Sequence, residues 1–138
     1  MKIENIVPSD YIIKGAYTPA KKIDIGDSYL IFVSGVQAPI DDNQNVITND
    51  IAEQTKLVFE DISKILNVAG AGLDNVVKAV IYLTDMSEFN KVSAIRAEYF
   101  KNSMPVSTMV EVNRMTRNGA KIEIEVTAII NKEGVKYQ

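Results

Sequence analysis

Ten residues near the C-terminus constrain the fold most. Lys121 to Ile130 reads Lys-Ile-Glu-Ile-Glu-Val-Thr-Ala-Ile-Ile and alternates apolar with polar side chains through Val126. That is the period of a strand with one face in a core. Ile122, Ile124 and Val126 define the apolar side, so Glu123 and Glu125 point away from it. Ser107 to Val112 reads as a second strand, entered after Pro105, which bars a helical continuation. Asn118-Gly119 offers the residue pair favoured in tight hairpins, and the two strands are expected to pair through it.

Upstream, Ile23 to Ile25 and Tyr29 to Ser34 predict strands around a turn centred on Asp27. The second is a continuous apolar run, as in a strand covered on both sides. Pro39 ends its pairing, and 41–49 is a polar loop. A helix follows from Asn49 or Asp50, with Asp50 and Glu53 spaced as a capping box and Gly70 as its stop. Ile51, Val58, Ile62, Ile65, Leu66 and Ala69 fall on one helical face. Val76 to Leu83 is the next strand, with Val77, Ala79, Ile81 and Leu83 on one side. A second helix starts at Ser87 and runs through Phe89, Val92, Ile95 and Tyr99. The order β-β-α-β-α-β-β predicts an α+β domain over 1–138. Right-handed crossovers put both helices on one face of a mixed sheet. Val80 and Tyr82 on the other face are too apolar to stay wet, so a second copy of the chain is expected to cover them.

Composition narrows the chemistry. The 138 residues contain no Cys and no His, which removes a Ser-His triad, a thiolate nucleophile and a Cys/His zinc site. Acid–base work falls to Glu, Asp, Lys, Tyr or water. A net charge of −3 gives no overall attraction to nucleic acid. No apolar run is long enough to span a bilayer, the N-terminus lacks the apolar region of a secretory signal, and the missing cysteines fit a cytoplasmic protein.

Four segments together resemble the Rid (YjgF, L-PSP) family. They are Gly15-Ala16-Tyr17, Phe32-Val33-Ser34-Gly35-Val36-Gln37-Ala38-Pro39, Val76 to Phe89 with its acidic turn, and Met104 to Ala128 with its Pro-x-x and Ile-Glu-Ile-Glu strands. The resemblance implies a chorismate-mutase-like protomer assembled as a homotrimer around a central barrel, with ligand sites between subunits. It implies deamination of reactive enamine or imine intermediates such as 2-aminoacrylate, without a metal or organic cofactor. By position, Tyr17 and Glu123 are the candidate catalytic residues, Glu123 holding the hydrolytic water, with Glu125 as the competing assignment. Burial in a cleft between copies would raise the pKa of such a glutamate and suit it to proton exchange. Ser34, Gly35, Ser93, Arg96, Ser107 and Met109 are the candidate ligand-binding positions.

Ser107 is the departure. The family places there an Arg that grips the substrate carboxylate, and a hydroxyl cannot reproduce a two-pronged guanidinium contact. Losing one partner of a buried charge pair costs about 2–5 kcal/mol, roughly a thirty- to several-thousand-fold loss of affinity. The expected protein is therefore a small-metabolite binder with poor 2-imino acid deaminase activity. The alternative is a deaminase or hydrolase of altered specificity, with Arg96, Lys14 or Arg114 as the substitute cation. Endoribonuclease activity ranks below both, given the acidic balance, the ten aromatics and the absence of His.

Overall fold

A computed structural model describes residues 1–133. Its elements are β1 (Ile3–Ile6), β2 (Ala20–Asp24), β3 (Ser28–Gln37), α1 (Ile51–Val68), β4 (Val76–Leu83), α2 (Phe89–Tyr99), β5 (Val106–Glu111) and β6 (Ile122–Asn131). They form the two-helix, mixed-sheet architecture expected from the sequence, with the short strand β1 added at the N-terminus. The sheet order is β1-β2-β3-β6-β4-β5, and β4–β5 is its parallel pair.

α1 starts where the sequence places it. The Asp50 carboxylate accepts from the Ala52 N–H at 2.9 Å. Only half of the expected capping box forms, because the Glu53 carboxylate accepts from the Thr48 hydroxyl instead. The helix ends at Gly70, whose φ of +85° closes the last turn. Val58, Phe59, Ile62 and Leu66 of α1 are fully buried, as are Ile31, Ile81, Ile122 and Ile124 of the sheet. Phe59 stacks on Tyr99 of α2 with ring centroids 4.6 Å apart and meets Phe100 edge-on at 5.0 Å. α2 begins two residues later than expected, after a short 3₁₀ turn at Met86–Glu88 capped by Asp85. In β4 the pairing slips between Val76 and Lys78. Val76 therefore takes the buried position, and Val77 is exposed rather than aligned with Ala79.

The expected hairpin between β5 and β6 does not form, because β4 lies between them and pairs with both. The Asn118-Gly119 turn exists, with φ of +87° at Gly119, but it docks on other elements. Asn118 accepts from the Val46 N–H at 2.9 Å. Gln54, buried in α1, donates to the carbonyls of Thr48 and Gly119 and accepts from the Lys121 N–H, each at 2.9 Å. One buried amide thus carries the chain across the end of α1 and delivers β6 to the centre of the sheet. The face of the sheet away from the helices presents Phe32, Val106, Val110 and Ile129, all exposed.

Gln54→Leu removes three hydrogen bonds from buried or half-buried backbone groups. We expect a loss of about 1–3 kcal/mol or more in urea unfolding, with hydrogen exchange accelerating first at residues 118–121.

Candidate functional site

The site begins at a defect in β3. Pairing with β6 runs regularly to Val33, slips, and resumes at Val36. Ser34 and Gly35 occupy the slip. The carboxylate of Glu123, from the neighbouring strand, lies directly over Gly35. A Cβ on Gly35 would stand 2.6 Å from Glu123 Oε2 and 2.7 Å from its Cδ, a separation real side chains do not tolerate. Glycine is needed here for close approach rather than for a positive φ. The other carboxylate oxygen accepts from Gln37 Nε2 at 2.7 Å, and the same amide nitrogen donates to Thr116 Oγ1 at 2.9 Å. Gln37 Oε1 in turn accepts from the Arg117 N–H at 3.0 Å. Glu123 is therefore held by a buried amide that is itself held at its other end.

Ser34 positions the loop that carries Tyr17. Its hydroxyl donates to the Thr18 carbonyl at 2.7 Å, and its N–H to the Pro19 carbonyl at 2.8 Å. Tyr17 stays about half exposed on that loop. The Tyr11 phenol is held above its ordinary range, first by burial and then by its hydrogen bond with Tyr17. Tyr11, Tyr17, Ser34, Gly35 and Gln37 line a cleft of about 510 Å³, within the usual volume range for small-molecule sites, and Glu123 adjoins it through its contacts with Gly35 and Gln37. The cleft lining also includes Lys14, Asp61, Lys64 and Arg117. Asp61 is half-buried, and desolvation holds its carboxyl above the ordinary carboxylate range against the opposing pull of Lys64 and Arg117. Among the described residues no three acidic side chains come together in a way that could hold a metal ion.

Ser93, Arg96 and Ser107 form a second cluster. Arg96 Nη1 donates to Ser107 Oγ at 3.1 Å, and Nη2 to Ser93 Oγ at 3.4 Å. The strand registers separate the two clusters. Ser107 pairs with Ala79 and Met109 with Ile81, so both lie on the helix-covered face. Glu123 pairs with Tyr82 and Gln37 on the opposite face. Met109 packs against the core. Glu125, the competing acid, accepts from the Tyr82 hydroxyl and is not part of the Gly35 contact. Of the substitute cations, Lys14 lines the cleft, Arg96 reaches Ser107, and Arg114 lies on the separate 114–120 loop surface.

Sequence reasoning missed Gln37, Asp61 and Arg117 as site residues. Gln37 stood inside the quoted Ser-Gly-Val-Gln-Ala-Pro segment. Asp61 and Arg117 carried no signal beyond a helix-surface acid and a basic residue beside a turn.

A small α+β fold in which a glutamate lies over a glycine of the cleft wall is that of a YjgF/Rid-type protein. The chain belongs to the endoribonuclease L-PSP family, whose model matches residues 13–130. It is 42% identical over 120 residues to a RutC family protein of Pyrococcus abyssi, covering 86% of this chain and 88% of that protein. It is 31% identical over 115 residues to human 2-iminobutanoate/2-iminopropanoate deaminase, covering 83% and 80% of the two chains. Among solved structures, a conserved Rid family protein of Yersinia pestis matches with a TM-score of 0.81 at 30% identity, over 94% of this chain and all of that one. A YjgF/YER057c/UK114 family member of Mycobacterium tuberculosis matches at 0.70 and 34% identity, over 83% and 86%.

Gly35→Ala should cost about 1–3 kcal/mol through overpacking against Glu123. In a Glu123→Ala background the same change should cost nearly nothing, and a double-mutant cycle of urea midpoints reads the coupling. Asp61 has a raised folded-state pKa, so its ionisation weakens the fold. That penalty is absent below about pH 3.9, the free aspartate value, and grows as pH rises through the folded-state pKa. Asp61→Asn should therefore raise stability at pH 7 and lose that advantage at pH 3.5, checked by unfolding at both.

Proposed function

We propose that this chain is a cofactor-independent binder of small metabolites, working as a homotrimer whose ligand clefts are completed between copies. One observation carries the reading: Glu123 and Ser107 lie on opposite faces of one sheet. A single copy cannot present both to one ligand, so a neighbouring copy must supply the second cluster. The exposed Phe32, Val106, Val110 and Ile129 give copies an apolar reason to associate. A cytoplasmic setting fits the absence of cysteine.

In the completed cleft, Tyr17 donates to a polar ligand group, and the Gly35 backbone lets the ligand come close to Glu123. Glu123, oriented by Gln37, holds a water. For an imine, that water would add to the C=N carbon as Glu123 takes its proton. Glu123 would pass that proton to nitrogen and then relay the new hydroxyl's proton to the same nitrogen, so that ammonia leaves as the carbonyl forms. With Ser107 in place of a forked cation, a 2-imino acid is poorly gripped and turnover is slow.

The Arg96–Ser107 hydrogen bond favours a second reading. There, α2 lends its guanidinium to the position of residue 107, and the protein is a deaminase or related hydrolase with altered substrate specificity. The family's ribonuclease name finds less support, because the site offers no histidine for general acid–base cleavage of RNA.

Ammonia release from 2-iminobutanoate separates the two readings. Under the first, the wild type is slow, and Ser107→Arg raises kcat/KM roughly thirty- to several-thousand-fold, the inverse of a 2–5 kcal/mol loss. Glu123→Gln then abolishes that gain. Fast wild-type turnover that Arg96→Gln removes establishes the second reading. Fast turnover indifferent to Arg96→Gln, or a monomer by sedimentation, sinks both.

A further inference from the structure

The cleft wall holds a cation, Arg117, for which the water step proposed at Glu123 has no use. Arg117 Nη1 donates to the Ala38 carbonyl at 2.8 Å and to the Gln37 carbonyl at 3.3 Å. The remaining N–H groups of its guanidinium have no acceptor among the described residues, and no carboxylate is ion-paired with it. Its charge nevertheless acts on Tyr11 and Asp61, both in the cleft wall. The residue sits in the loop that Gln54 and Val46 hold in place, so its position is set before any ligand arrives. Preorganisation of this kind strengthens recognition, because little freedom remains to be lost on binding.

The charges around it are lopsided. Lys64 is paired with Asp10, which leaves Lys14 and Arg117 against Asp61. A chain of net charge −3 thus carries a net positive charge among the residues lining this cleft. The volume, about 510 Å³, is of the drug-sized class and exceeds what a four-carbon acid needs. The free edge of a guanidinium matches a carboxylate or phosphate through two parallel hydrogen bonds.

We propose that Arg117 and Lys14 form an anion subsite in the cleft, selecting ligands with a carboxylate or phosphate remote from the carbon beside Glu123. The proposal rests on the reading of this cleft as the ligand site. It differs from the Arg96 question, since this subsite belongs to the protomer that supplies Glu123. Asp61 opposes it as the acid of the cleft lining without an ion-pair partner among the described residues, and its removal should strengthen anion binding.

Titration calorimetry on the full chain with three unreactive 2-oxo acids tests this. They are 2-oxobutanoate, with one acidic group, 2-oxoglutarate, with a remote carboxylate, and 3-phosphohydroxypyruvate, with a remote phosphate. At least one of the last two should bind about tenfold or more tightly than 2-oxobutanoate, and the tighter of the pair identifies the anion. Arg117→Gln and Lys14→Gln should each cut that ratio about tenfold, while Asp61→Asn should raise it. Arg117→Gln also removes two contacts to the end of β3, so Lys14→Gln, in an exposed loop, is the variant free of folding effects. Binding of 2-oxobutanoate with no preference for either dianion overturns the subsite alone. A preference that survives both substitutions does the same. Failure of all three acids to bind overturns the subsite together with the cleft reading beneath it.

Discussion

The placement of β6 between β3 and β4 is the constraint from which the rest of the structure follows. That strand supplies the apolar faces of Ile122, Ile124, Val126 and Ala128, all buried against the helices. Its alternate residues bring Glu123 beside Gly35 and Gln37. Because the side-chain period of a strand is two, a one-residue slip would move Glu123 into the core and Ile124 into the cleft. The cost of burying an unpaired carboxylate forbids that register. The core and the site are therefore fixed by the same pairing. The irregularity in β3 between Val33 and Val36 is tolerated because it creates the space the glutamate occupies.

The same register separates Ser107 from Glu123 within one copy. β5 joins the sheet by a parallel pairing at its edge, and Ser107 follows Ala79 onto the helix side. There it meets Arg96 and Ser93 from α2 rather than Glu123. An edge strand leaves a row of backbone groups and side chains available to a neighbour, and β5 carries the exposed Val106 and Val110 on its open side. Its position lets one strand contact α2 through Ser107 and still leave Val106 and Val110 exposed. The Gly35–Glu123 contact needs no such help, because its partners all come from β3, β6 and the 116–117 turn.

How much of this the sequence carried depends on whether the deciding interactions are local. α1 was legible because its cap, its stop and its buried stripe all lie within the segment they define. Tyr29 to Ser34 and Ile122 to Ile130 were legible by pattern alone. The β5–β6 hairpin was not, since Asn118-Gly119 is a genuine turn whose partners, Val46 and Gln54, lie 65 or more residues away in sequence. β1 escaped notice because Ile3 to Asn5 are exposed and the strand is held by backbone pairing to β2. Glu123, Gly35 and Tyr17 were singled out by their positions in the motifs, and the fold puts Tyr17 and Gly35 in one cleft wall with Glu123 against Gly35. Their separation from Ser107 was invisible, because which face a residue takes depends on a partner strand the motif does not name.

Arg117 shows the same limit from the opposite side. In the sequence it is one of three basic residues near a turn, with nothing to distinguish it from Arg114. In the fold its N–H meets Gln37 Oε1, and its guanidinium meets the end of β3. The amide that orients Glu123 is thereby locked to a residue that brings positive charge to the cleft wall. Glutamate and arginine are thus mechanically linked through Gln37, whose two polar atoms face one each. A ligand held by the cation, as proposed, would by this linkage meet the carboxylate with both groups already in place. Preorganisation of that kind turns binding energy into positioning rather than into rearrangement of the site.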